Sequence, residues 1–176
     1  MYKRLLIVCA VFLAFTGPVA RAEDFLLTDE HIALIRTNCV SVQSALQRIH
    51  ASDGLMRVNL GQRYETIATR LMAPMNSRIA LNRLDNVAMT QTTADFNNVI
   101  RQFSTNYQQY EQTTLKAIEM NCADQPVAFY DTITLARSHR ASVHDSVSTL
   151  SALLKQYGTQ FDAFKTQVLS TNGGVK

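Results

Sequence analysis

From residue 129 to residue 168 the chain repeats a single pattern without a slip. Phe129, Ile133, Ala136, Arg140, Val143, Val147, Leu150, Leu154, Tyr157, Phe161, Phe164 and Val168 are separated by alternating steps of four and three, and all but Arg140 are apolar. Steps of this kind return one stripe to the same side of an α-helix every two turns, so the stripe needs a partner helix along its whole length. A helix of forty residues is about 60 Å long at ~1.5 Å per residue. The expected fold is therefore all-α, an elongated antiparallel bundle with coiled-coil-like packing. Asp124-Gln125-Pro126 supplies capping residues and an early proline for the start of this helix.

The rest of the chain provides the partners. Ile100, Phe103, Tyr107, Tyr110, Thr114 and Ala117 form the stripe of a preceding helix, announced by Thr92 and Thr93 and ending near Cys122. The first helix is capped by Thr28, carries Asp29 and Glu30 in its opening turn, and presents Ile32, Ile35, Cys39, Val42, Leu46 and Ile49. Its seam lapses at Ser52-Asp53-Gly54 and resumes as Met56, Leu60, Tyr64, Ile67, Leu71 and Met75, with Pro74 as a second bending point. Three long helices result, or four if the first breaks near Gly54. No segment alternates apolar and polar residues in the manner of a strand.

The amino-terminal residues have a different purpose. A basic start, eleven consecutive apolar residues over 5–15 and the small-x-small sequence Ala20-Arg21-Ala22 have the layout of a secretory signal peptide cleaved after Ala22. The domain is then 23–170, followed by a disordered tail over 171–176 and containing no membrane span of its own. The expected location is outside the cytoplasm: periplasm, cell surface or extracellular medium. Charge also depends on this division. Lys3, Arg4 and Arg21 are three of the 17 cations, and no acid precedes Glu23, so the chain from Glu23 onward holds 14 cations against 14 acids. A neutral chain lacks the field that attracts nucleic acid, and that partner is not expected.

Cys39 and Cys122 remain after cleavage, and an even pair in an oxidising compartment is expected to be bonded. Two helices meeting at these cysteines turn most easily near Ala80, midway between them. The turn signals lie at 86–91. With that turn and an unbroken first helix the arms would differ by about 16 residues, roughly 24 Å, well beyond disulfide reach. A fold-back at Gly54, an earlier turn, or cysteines that do not pair within one chain would each remove the conflict.

Chemistry-bearing motifs are sparse. His31, His50, His139 and His144 offer no pair at ligand spacing, since positions 139 and 144 diverge by about 140° on a helix. No nucleophile elbow, phosphate-binding loop, dinucleotide glycine pattern or metal-binding motif occurs, so neither an enzyme nor a resident metal or cofactor is expected. Arg63, Arg70 and Arg78 fall within about 80° of one another on a regular helix, with Arg57 nearby, and form a face suited to an anionic partner. Internal pairing with Asp95, Glu111 and Glu119 is the competing arrangement. Phe96, Phe103, Tyr107, Tyr110 and Tyr130 either pack the core or line a pocket. Arg140, the polar position in the long seam, suits a role in register or homo-oligomer state.

These features point to an exported, non-enzymatic interaction or scaffold protein of the cell envelope that offers long helical faces to a protein or cell-surface polymer. The alternatives are an extracytoplasmic holdase-type chaperone and a helical subunit of a secretion apparatus.

Overall fold

A computed structural model describes residues 27–172. The expected signal peptide, 1–22, lies outside the described residues, as do 173–176 of the expected tail. Four α-helices follow in order: α1 (Asp29–Thr66), α2 (Ala73–Leu81), α3 (Val87–Glu119) and α4 (Pro126–Asn172). A π-helical segment, Ile67–Met72, joins α1 to α2 without a loop, so the two form one long first arm. The bundle is antiparallel, and no strand occurs among the described residues. α4 starts at Pro126, whose missing N–H costs nothing in a first turn, and extends to Asn172, past the expected boundary at 170.

The first arm does not break at Gly54. Gly54 and Gly61 both lie within continuous α1, and the irregularity comes later, at the residues preceding Pro74. Proline lacks an N–H, and its ring would collide with the Arg70 carbonyl in a regular helix. Widening to i→i+5 bonding relieves that crowding, and the Ala73 N–H donates to the Ala68 carbonyl. The wide turn also adds one residue to the seam. Tyr64, Ala68, Met72, Asn76 and Ile79 are the buried positions, whereas Ile67 and Met75 of the expected stripe are partly buried against the same core. Leu71 is exposed, at 62%; Met56, in regular α1 well before the wide turn, is also exposed, at 57%.

The turn between the arms lies at 82–86, earlier than the sequence signals. Asn82 ends α2, Arg83 takes a left-handed conformation (φ 57°), and two bonds close the end. The Leu84 N–H donates to the Ile79 carbonyl (3.2 Å) and the Arg83 N–H to the Ala80 carbonyl (2.9 Å). This is a Schellman cap with arginine in the position glycine usually fills. Asp85 Oδ1 accepts from the Val87 N–H (3.1 Å) and opens α3. Thr92 and Thr93 therefore do not cap a helix; both are buried inside α3.

The earlier turn resolves the cysteine conflict within one chain. Cys39 and Cys122 are disulfide-bonded with Cα atoms 5.6 Å apart. α3 stops at Glu119, and residues 120–125 leave the helix before α4 starts, which lets Cys122 reach α1. Gln43 reinforces the join: its Nε2 donates to the carbonyls of Ile118 (2.9 Å) and Met120 (2.7 Å), acceptors that the end of α3 leaves without helical partners. Arg36 Nε donates to the Ala123 carbonyl (3.2 Å).

Two hydrophobic cores lie along the bundle. The smaller surrounds the disulfide and joins Cys39, Ala117, Cys122 and Phe129, with Ile35, Val42 and Leu46 against it. The larger is near the turn and includes Tyr64, Met72, Met89, Phe96, Phe103, Leu150 and Tyr157. Between Cys39 and Tyr64, α1 fully buries no residue. Gly61 and Gly158 have no atom within 4 Å of an added Cβ. Glycine inside a helix is less stable than alanine by about 0.5–1 kcal/mol, and there is room for the methyl group. Gly61→Ala and Gly158→Ala should each raise unfolding free energy by about that amount in urea titrations. A loss of stability would show that these positions are closer to a neighbour than the fold indicates.

Candidate functional site

Two irregularities of the sequence meet between the cores. The lapse in the α1 seam at Asp53 faces the polar position in the α4 seam, Arg140. Arg140 donates through Nε to Asp53 Oδ2 (3.2 Å) and through Nη2 to Oδ1 (3.4 Å), a two-point pair that fixes α1 against α4. Tyr110 of α3 donates its hydroxyl to the same Oδ2 at 2.7 Å, so Asp53 links three helices. Its side chain is 15% exposed, whereas Arg140 remains 61% exposed and its charge is largely solvated. The lone polar position of the α4 seam is thus paired within the chain.

The tyrosines show how dry the site is. Burial, the donated bond to Asp53 and the Asp53 charge together push the Tyr110 hydroxyl up to about 12. Burial also raises Tyr107, as does the nearby Glu111 carboxylate, against the opposing charge of Arg57. Tyr64 and Tyr157 are raised by burial alone. All four phenols hold their protons more tightly folded than unfolded, so their contribution is complete below the ordinary tyrosine range and disappears as pH rises through it toward 12. Helicity should therefore be lost in the alkaline range together with the appearance of phenolate absorbance. Complete phenolate formation near pH 10, with helicity intact, would contradict these environments.

Above this polar link is a cleft of about 550 Å³ between α1, α3 and α4. Met56, Leu60, Phe103, Val143 and Val147 supply its apolar wall, and Arg57, Arg137, Arg140 and His144 contribute its cationic and polar lining. The Arg57 guanidinium lies over the Tyr107 ring, 4.9 Å from its centre, a cation–π contact between two residues of the cleft lining. Tyr107 meets Tyr110 edge-on, with ring centres 5.9 Å apart. Tyr107 is 3% exposed, and its hydroxyl has no hydrogen-bond partner among the described residues.

The three arginines of the expected anionic face are placed differently from this cleft. Arg63, Arg70 and Arg78 are all exposed, and none makes an ion pair among the described residues, so they do not pair with the acids of α3. The π-helical turn changes their alignment. Arg63 and Arg78 each adjoin a buried seam residue, Tyr64 and Ile79, whereas Arg70 lies midway between Ala68 and Met72, on the outer side. Arg57, grouped with them in sequence, turns inward to Tyr107.

The aromatic set divides in the same way. Phe96 and Phe103 pack edge-on against Tyr64, and Phe103, Tyr107 and Tyr110 also line the cleft. Sequence reasoning noted Asp53, Arg57, Tyr107 and Arg140 separately without joining them. The available signal was the coincidence of a seam lapse in one helix with a charged seam position in another, and it indicates a link without indicating which acid meets which base. Among the described residues no group of three His, Cys, Asp or Glu side chains could hold a metal ion. No helix among them is long and apolar enough to cross a membrane.

No known family model, curated protein or solved structure matches the chain.

Proposed function

We propose that the protein is an exported, non-enzymatic interaction module of the cell envelope, with the first arm as its partner-binding element. The observation that carries this reading is the poor coverage of α1 by its own bundle. Between Cys39 and Tyr64 no residue is fully buried, and Val40 (76%), Leu55 (71%) and Val58 (49%) are left exposed. A helix that gains so little from its own chain keeps much of its surface available for another molecule. The unpaired Arg63, Arg70 and Arg78 continue that arm toward the turn and favour a partner with acidic groups. The disulfide supports an oxidising compartment.

The test places a photoreactive residue at Val40 or Leu55 in the full chain, crosslinks it in cells, and identifies what is attached by mass spectrometry. One recurrent acidic partner is expected, with capture weakened and its salt dependence reduced when Arg63, Arg70 and Arg78 are changed together to Gln while helicity is retained. A broad set of unrelated unfolded clients would replace this reading with a holdase. Capture unaffected by the triple change would remove the arginines from the interface.

A further inference from the structure

We infer that the cleft between α1, α3 and α4 is a binding site for a free, single-chain amphipathic anion, with an apolar body against the wall and a carboxylate-type head at the arginines. A recess of about 550 Å³ lies within the range of small-molecule sites, roughly 300–1,000 Å³, and is walled by side chains such as Met56, Leu60, Phe103 and Val147 from three helices. An apolar body placed there would be covered on several sides, which a groove along one helix cannot provide.

Charge selects the head group. Arg57, Arg137 and Arg140 line the cleft together with a single carboxylate, Asp53. Asp53 is already engaged by Arg140 and by the Tyr110 hydroxyl, so it balances one cation and leaves two. Arg57 and Arg137 make no ion pair among the described residues. Arg57 is held by its stacking on Tyr107 and not by an acid, so its guanidinium N–H groups remain free to donate. A ligand oxygen placed between two guanidinium groups would accept charge-assisted bonds next to an apolar wall, where water competes less.

An independent observation concerns Tyr107. Its hydroxyl is buried on the cleft wall and unpartnered, in a fold where Tyr110 and Tyr157 both find acceptors. Buried hydroxyls are normally satisfied. The hydroxyl is closed to solvent, so a bound anion would accept from it only after the Tyr107 side chain shifts toward the cleft. The nearest atom to a Cβ built at Gly54 is the Tyr107 Oη, at 3.7 Å, an ordinary contact distance that places this hydroxyl against α1. The apolar wall is recessed between three helices, which favours a free amphiphile, able to enter with its chain, over a lipid whose chains stay in a bilayer.

The experiment measures binding of dodecanoate to the oxidised full-length mature protein by calorimetry, below the micellar range, with dodecanol and dodecylamine as neutral and cationic controls. Saturable binding of about one dodecanoate per chain is expected, with dodecanol at least about tenfold weaker and dodecylamine unbound. Arg57→Gln with Arg137→Gln should weaken dodecanoate by about tenfold or more and leave dodecanol unchanged. This pair spares the Asp53 link, and unchanged helicity and melting temperature would show that the fold persists. Ala141→Trp, which fills the cleft from an exposed α4 position, should abolish both. Equal binding of dodecanoate and dodecanol, no saturable binding, or insensitivity to the arginine changes would each overturn the inference. So would arginine-dependent capture of the protein by phosphatidylglycerol vesicles, which would assign the charge to a membrane surface. Arg63, Arg70 and Arg78 are outside the cleft, so failure here leaves partner capture by α1 separately measurable.

Discussion

Replacing Cys39 and Cys122 by serine should lower the unfolding free energy by about 4 to 5 kcal/mol, the chain-entropy value for a loop of this size. The bond joins residues separated by 83 positions, so in the unfolded oxidised protein it closes more than half of the described chain into a ring. For a domain of this length, such a loss corresponds to a fall in melting temperature of roughly 10 to 20 °C. The effect should also be local. With few buried residues between Cys39 and Tyr64, α1 depends on the disulfide core for attachment at one end, together with the Gln43 and Arg36 contacts. Hydrogen exchange of the double-serine protein should show the first half of α1 opening well before α3 and α4. A melting temperature within a degree or two of the oxidised protein would mean that the smaller core holds α1 without the bond.

Phe96→Ala should be comparably damaging, at about 3 to 5 kcal/mol, for a different reason. Phe96 is completely buried at the centre of the larger core, and its ring meets Tyr64 of α1 at 6.1 Å with the planes nearly perpendicular. Phe103 meets the other side of Tyr64 in the same way, at 5.8 Å. Truncating Phe96 leaves a cavity against a rigid aromatic neighbour and loses one of the two edge contacts. Phe96→Leu keeps most of the volume and should cost far less. Urea unfolding followed by far-ultraviolet circular dichroism measures both. A small loss for alanine would require that Tyr64 and Met72 collapse into the space.

The long helices were legible because their stripes are regular. The α4 seam appears in the fold almost residue for residue, with two departures: Arg140 is exposed, and Leu154 is 39% exposed while Leu153 packs against the core instead. The α3 stripe from Phe103 to Ala117 is buried as read. The first arm was harder, because a π-helical turn leaves no apolar signature and changes which residues face inward. Pro74 signalled strain at that position, but the remedy depends on neighbours that the local sequence does not name. The turn at 82–86 was missed for a related reason. Its left-handed position is occupied by Arg83, and without glycine the Schellman cap resembles ordinary helix. The cysteine pair contained the missing information, since its midpoint near Ala80 favoured the earlier turn.

The candidate site follows the same division. Arg140 was recognisable as a lone charge in an apolar seam, and Tyr107 and Tyr110 as an aromatic pair, but the partner that joins Arg140 to Tyr110 is a solitary aspartate beside a glycine. Local pattern gives such a residue no distinction. Its importance comes from a contact spanning 87 positions of chain, which depends on the register set by the turn and the disulfide.

The closed ring between Cys39 and Cys122 also has a mechanical meaning. Tension applied on either side of the bond, before Cys39 and after Cys122, passes through the disulfide without reaching the residues enclosed by it. Most of α1, the π-helical turn, α2, the tight turn and α3 lie inside the ring and cannot be stretched out while the bond remains, whereas α4 and the start of α1 can. Reduction would release the enclosed segment as slack of roughly 300 Å, at about 3.6 Å for each extended residue. The bond thus sets a maximum extension for the oxidised chain, and the redox state of its surroundings would determine its reach under load.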